Sequence, residues 1–386
     1  MNTLATGALA AGLFVCAMAV WAVPIVPIRD DEVIEVLPAA AGDRGEDKRL
    51  RKQLAARPDD AVLAVRLAQR DLDRARQAGD PRFAGLAFAA LRPWPDASSA
   101  PAEVLLMRAT LQQYMHQFDA SVTSLRQLLA RPGEAGRAQA WLTLATVLRV
   151  QGRYADSDGA CRRLAATGAD LHSGACLAEN AALRGDVAPA RRSFEALLSR
   201  PGLPPATQGW LLTSLAELEE RERRTTAADA AYRRVLALGS DTYASIAYAD
   251  FLIAQGRPAD ALATLQSEPR TDAVLLRLAI AGARAKTATA AADAAEMRER
   301  IALANQRPEA KAFHGREQAM FALFIEAAPA RALSLARGNV EHQREPLDVL
   351  VLAEAAKASG DGAAIDEARR LKARLGLHDR RIDAAL

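Results

Sequence analysis

Apolar residues recur at helical spacing along most of the chain beyond Pro58, and polar or glycine-bearing turns interrupt them at a regular interval. Between Ala138 and Ala169, Trp141, Leu144, Ala145 and Leu148 fall at i, i+3, i+4 and i+7, which places them on one helix face. Gly152 breaks the run, Tyr154 opens a second helix, and Ser157, Cys161 and Leu164 continue at the same period. The frame returns as Leu177, Ala178 and Ala181, then Gly185, then Ala190, Phe194 and Leu197. It recurs as Tyr248, Ala249, Leu252, Gly256, Ala261 and Leu265. Between these copies Leu212, Leu215, Ala216, Ala228, Tyr232 and Val235 fit with a polar Arg223-Arg224-Thr225-Thr226 turn in place of glycine. A looser copy runs through Leu105, Ala109, Phe118, Ser121, Leu125 and Leu128.

Small residues sit where two helix backbones must approach, and large ones where a gap must be filled. Ala145, Ala178, Ala216 and Ala249 hold one position of the first helix, helix A. Ser157, Ala190, Ala228 and Ala261 hold the facing position of helix B, and Phe194, Tyr232 and Leu265 fill the space towards the next copy. The series Trp141-x2-Leu144-Ala145-x2-Leu148, Gly152-x-Tyr154 and Ser157/Cys161/Leu164 resembles the tetratricopeptide repeat (TPR), a helix–turn–helix unit of about 34 residues. The resemblance implies an all-α, right-handed α-solenoid of TPR-like helix-turn-helix hairpins. No hairpin can bury its apolar face alone, so stacking builds one continuous core. It also implies a protein or peptide partner held in a concave groove lined by helix A.

The ends of the array are degenerate. Residues 59–91 read as a hairpin with a Gly79-Asp80-Pro81 turn, residues 273–304 and 312–338 as helical pairs of weak spacing, and residues 347–375 as a return to form. The expected organisation is a first segment over 1–22, a Pro-, Ala- and charge-rich linker over 23–57, and a solenoid of eight or nine hairpins over 58–386. The stretch Arg344-Glu345-Pro346-Leu347-Asp348 resembles the terminal region of bacterial envelope TPR proteins, which bears on location rather than chemistry.

Leu4 to Val23 is an apolar run without a charge, ending before Pro24, Pro27 and Arg29-Asp30-Asp31-Glu32. Val20 and Ala22 suit a signal-peptidase site. The run is also long enough to span a bilayer as an uncleaved anchor, and a buried helix is the third reading. No Lys or Arg precedes it, a departure from the usual signal. Phe14 and Val15 make a poor lipobox ahead of Cys16, so lipidation is rejected. Signal or anchor, the expectation is a periplasmic or secreted protein that meets the membrane only through this segment. Beyond Cys16 two cysteines remain, Cys161 and Cys176. A structural disulfide fits an oxidising compartment, and two buried thiols fit the same positions.

With Lys+Arg at 50 and Asp+Glu at 47, no basic excess marks a nucleic-acid binder. Half the residues are hydrophobic, which excludes full disorder, and aromatic residues at 5% suit helix rather than sheet. His116, His172, His314, His342 and His378 never pair at i+3 or i+4, and no C-x-x-C, P-loop or G-x-S-x-G occurs. No enzyme, metal site or cofactor is expected.

Chemistry would then lie in the groove, at the position after the small helix-A residue. There successive copies carry Thr110, Thr146, Glu179, Glu217 and Asp250, with Arg149 one turn further on and Thr143, Thr213 and Ser214 nearby. An acidic ladder of this kind suits a basic or amine-bearing segment. It departs from the carboxylate-clamp TPRs, which place Asn and basic residues there. The plainer reading is solvated helix-face charge. The function expected is a protein-binding scaffold without catalysis; the alternative is an accessory or assembly factor, or chaperone-like helper, of an envelope enzyme or metal-uptake system.

Overall fold

The computed structural model describes residues 44–96, 98–133, 136–239, 241–306 and 315–386. The chain divides into two units, Met1–Glu46 and Asp47–Leu386; the described residues belong to the second apart from residues 44–46. The apolar run over 4–23, Cys16 and His314 lie outside them.

Every regular element among the described residues is a helix. The linker expected over 23–57 contains one: α1 (Arg44–Ala56). Leu50 of α1 is buried in the core. Asp47 pairs with Arg70 at 2.5 Å and also with Arg74, while Arg51 pairs with the buried Asp71 at 2.6 Å. From Asp47 onwards α1 is therefore held against the first hairpin by these pairs.

Nine hairpins follow among the described residues. The first three are α2 (Ala61–Ala78) with α3 (Pro81–Ala90), α4 (Ala102–Tyr114) with α5 (Phe118–Leu129), and α6 (Arg137–Val150) with α7 (Tyr154–Ala165). The middle three are α8 (Asp170–Leu183) with α9 (Val187–Leu198), α10 (Pro205–Arg221) with α11 (Thr225–Leu236), and α12 (Thr242–Ala254) with α13 (Pro258–Leu265). The last three are α14 (Asp272–Ala285) with α15 (Ala290–Asn305), α16 (Gly315–Phe324) with α17 (Pro329–Val340), and α18 (Pro346–Ser359) with α19 (Gly362–Leu375). A short α20 (Arg380–Ala385) ends the chain.

The small-residue code works as its spacing predicts. Ala145, Ala216, Ala228, Ala249 and Ala261 have no exposed surface, nor has Phe194 between its neighbours. Ser157 adds a bond that alanine cannot: its hydroxyl donates to the Ala145 carbonyl at 2.8 Å, and Ser121 donates to the Ala109 carbonyl at 2.9 Å. Burying each large side chain such as Phe194 or Tyr232 contributes about 1.5–3 kcal/mol. The turn needs a left-handed residue, which Gly152, Gly185 and Gly256 supply. His116 and Arg223 hold the corresponding place at φ 55° and 58°, where a Cβ costs about 1–2 kcal/mol.

The array also closes on itself, which no local pattern announces. Val150 and Leu183 end α6 and α8, where backbone carbonyls have no partner within their own helix. The Arg344 N–H donates to the Val150 carbonyl and the His378 N–H to the Leu183 carbonyl, both at 2.7 Å. Arg344 Nη1 adds a bond to the Gln151 carbonyl at 3.1 Å. The loops before α18 and α20 thus cap helices of the central hairpins, and Tyr154 and Leu183 share one core with the C-terminal helices.

Candidate functional site

The first helices of five consecutive hairpins, α10, α12, α14, α16 and α18, surround a cavity of about 630 Å³. One wall is apolar: Ile246 and Ala247 from α12, Ile280 from α14, Phe324 from α16, and Leu347 and Leu350 from α18. These positions line it because helix A of each unit turns one stripe inwards while its small-residue face meets helix B. The C-terminal hairpins supply the far side, so the stripe becomes one wall of a half-open cavity.

The charged carboxylates of the lining are largely paired. Asp250 accepts two bonds from Arg277, at 3.0 and 2.9 Å. Glu220 accepts from Tyr232 at 2.8 Å and from Arg381 at 2.5 Å. Arg316 serves two carboxylates, Glu345 and Asp348, each at 2.8 Å. Asp348 also reaches back to the Glu345 N–H at 2.8 Å, which starts α18 just ahead of Pro346. Burial pushes the Asp348 carboxyl up to about 7, against the pull of Arg316, and the Glu345 charge adds to the rise. Two lining carboxylates are less well matched. Glu217 accepts from the Tyr243 hydroxyl at 2.6 Å, but its guanidinium neighbour Arg221 stays 4.0 Å away. Glu354 forms no hydrogen bond or ion pair among the described residues, with Arg284 and Arg381 acting on it only at longer range. Burial raises the pKa of both.

The predicted groove residues divide accordingly. Glu217 and Asp250 line the cavity, and Glu179, Arg149, Thr146 and Thr213 lie outside it. Glu179 is joined to Arg149 by an ion pair and accepts from Ser214 Oγ at 2.6 Å. The Thr146 hydroxyl donates to the Leu142 carbonyl and that of Thr213 to the Gly209 carbonyl, one turn back in their own helices. Those hydroxyls are spent on backbone. Glu354, Arg284, Leu347 and Leu350 escaped the sequence reading as lining residues. Their only signal was the Arg344–Asp348 motif, which marks the start of the helix that carries three of them.

Cys161 and Cys176 stand at disulfide distance, with Cα atoms 5.8 Å apart, on α7 and α8. His378 faces Glu222 at 2.6 Å, His172 stacks on Trp210 and His116 on Phe118. Among the described residues no group of three or more His, Cys, Asp or Glu is arranged to hold a metal ion. None of the described helices is long and apolar enough to cross a membrane.

This is a TPR-like helical-repeat fold. The solved structure of a Rap protein complexed with Competence and Sporulation Factor matches over 89% of this chain and 94% of its own, with TM-score 0.50 and 8% identity. The P58(IPK) TPR domain aligns over 85% of this chain and 93% of its own, with 15% identity and TM-score 0.21. No protein-family model matches the chain, and no curated protein sequence does.

Proposed function

We propose that this chain is a non-catalytic scaffold outside the cytoplasm, exported or tethered by residues 4–23, that holds a segment of a partner protein in the cavity between α10 and α18. The observation that carries the reading is the cavity itself: a space of about 630 Å³ with an apolar wall and a charged rim, walled by the helix-A stripe. Its size falls within the roughly 300–1,000 Å³ of ligand pockets, so it accommodates a short extended segment and not a folded domain. The Rap protein, solved as a complex with Competence and Sporulation Factor, lends fold-level support to partner binding.

The test is a filled cavity. Tagged full-length wild type and an Ala247→Trp variant are recovered from crosslinked cell envelopes, and bound proteins are identified by mass spectrometry. A partner recovered with the wild type and lost with a variant of unchanged helicity is the expected result. A partner retained by both would move recognition to another surface and sink the reading.

A further inference from the structure

The C-terminal loops dock on two neighbouring hairpins, and one covalent bond joins those hairpins. Arg344 donates to Val150 at the end of α6, and Leu375 lies over the Gly152 turn that leads into α7. His378 donates to Leu183 at the end of α8 and sits beside the Gly185 turn that follows. The Cys161–Cys176 bridge ties α7 of the first hairpin to α8 of the second. Cys161 lies seven residues from Tyr154 at the start of α7, and Cys176 seven from Leu183 at the end of α8. On both helices the bridge is thus two turns, about 10 Å, from the docked end.

Buried polar contacts fill that interval. The Asn180 amide, with no exposed surface, donates to Ser157 Oγ and to Asp158 Oδ1, each at 2.9 Å, and reaches Cys161 Sγ at 3.7 Å. The other oxygen of Asp158 accepts from Arg184 at 2.6 Å, and Arg184 directly follows Leu183. Ser173 donates across to the Cys161 carbonyl at 2.7 Å. Cys161 and Cys176 are buried too. Bonded sulfurs stand about 2.05 Å apart, whereas two thiols need about 3.5 Å or more, so cleavage drives them roughly 1.5 Å apart. A close-packed interior passes that displacement on to Asn180 and to the docked ends. We infer that the bridge is a redox-sensitive latch: oxidised, it holds the ends of α6 and α8 at the spacing that Arg344 and His378 need together, and reduced, it releases their docking. A dithiol reductant supplies the step, passing two electrons and two protons to the sulfurs and closing its own disulfide, so one S–S bond breaks as another forms. α18 begins just beyond Arg344 and contributes Leu347, Leu350 and Glu354 to the cavity. Release therefore loosens one wall of the cavity, whatever the cavity binds.

Hydrogen–deuterium exchange of the purified full-length chain, read at single residues before and after treatment with dithiothreitol, tests this. The Arg344 and His378 amides are themselves the donors, so they report the docking directly. Reduction should speed their exchange at least about fivefold, with the amides of α14 unchanged. A Cys161→Ala/Cys176→Ala variant of unchanged helicity should exchange like the reduced wild type, with or without dithiothreitol. Coupling is reciprocal, so Leu375→Ala, which loosens the docking from the C-terminal side, should raise the reduced fraction in a fixed dithiothreitol buffer. Unchanged exchange at both amides on reduction, an equal rise in α14, or a reduced fraction unmoved by Leu375→Ala overturns the inference. Two free thiols in the air-oxidised protein would overturn it as well.

Discussion

The central hairpins, α6 to α13, and the C-terminal hairpins, α16 to α19, are built from the same unit but solve different problems. In the centre the repeat packing is between sequence neighbours: Ala145 meets Ser157, and Phe194 sits in a gap made by adjacent helices. At the C-terminus the decisive contacts cross 193 to 195 residues, from Arg344 to Val150 and Gln151 and from His378 to Leu183. The central contacts make the array, while the C-terminal ones convert its groove into a cavity. Regular packing and a ligand-sized space therefore come from different parts of the molecule, and damage to each should read out differently.

The largest effect is expected in the centre. Phe194→Ala removes a side chain with no exposed surface and should lower stability by about 3–5 kcal/mol, measured by urea unfolding. The matching change at the cavity, Phe324→Ala, removes a partly buried ring and should weaken peptide binding far more than folding. If both variants lost stability equally, the division between array and cavity would be wrong.

Next in size is the link between α7 and α8. Replacing Cys161 and Cys176 together by serine should cost roughly 3 kcal/mol, the chain-entropy value for a closed loop of 15 residues. Reduction of the wild type should lower its melting temperature in the same direction. Two free thiols in the non-reduced protein by mass spectrometry would remove the link from the account.

Gly152 tests the join between the two regions. Its φ of +72° disfavours any side chain, and a Cβ there would come within 2.5 Å of Leu375 Cδ2 on α19. Gly152→Ala should cost about 1–2 kcal/mol and raise amide exchange at Arg344 and His378, with α10 to α13 unaffected. Exchange that rose evenly along the chain would show that the closure is not a separable feature.

The remaining effect is electrostatic and is read as a slope across pH rather than as a loss at one pH. Asp348 is raised from 3.8 to about 7 in the folded protein, so between these values the folded state holds more protons than the unfolded chain. The contribution is fully present below about pH 4 and lost as pH rises through about 7. Asp348→Asn should flatten the fall in stability across that window, read from melting curves at both ends. A slope identical to wild type would assign the proton to another group.

How far the sequence reveals this molecule follows from the range of each interaction. Helix existence, turn positions and the facing small residues are set within one hairpin, so period and spacing reveal them, and even the non-glycine turn at Arg223 falls in frame. Cys161 and Cys176 come within reach because the repeat places their helices side by side. Of the positions picked after the small helix-A residue, Glu217 and Asp250 line the cavity and Glu179 does not. The state of these groups was not legible. Thr146 and Thr213 turn their hydroxyls to their own helices, and Glu179 and Asp250 are answered by Arg149 and Arg277, partners that no spacing rule selects. The closure was beyond reach for a further reason. Main-chain bonds to the ends of α6 and α8 are indifferent to which side chains surround them, so they leave no residue signature. Glu354 and Leu350 acquire their role only through that closure.

The central claim is that a partner segment occupies the cavity. The most direct measurement places a compact aliphatic diazirine amino acid, far smaller than the tryptophan that should block the cavity, at Ala247, inside it, and in a parallel sample at the exposed Leu238, outside its lining. Irradiation of cells followed by mass spectrometry should yield a crosslinked partner peptide at position 247 and none at 238. Crosslinks at 238 with none at 247 would contradict the account.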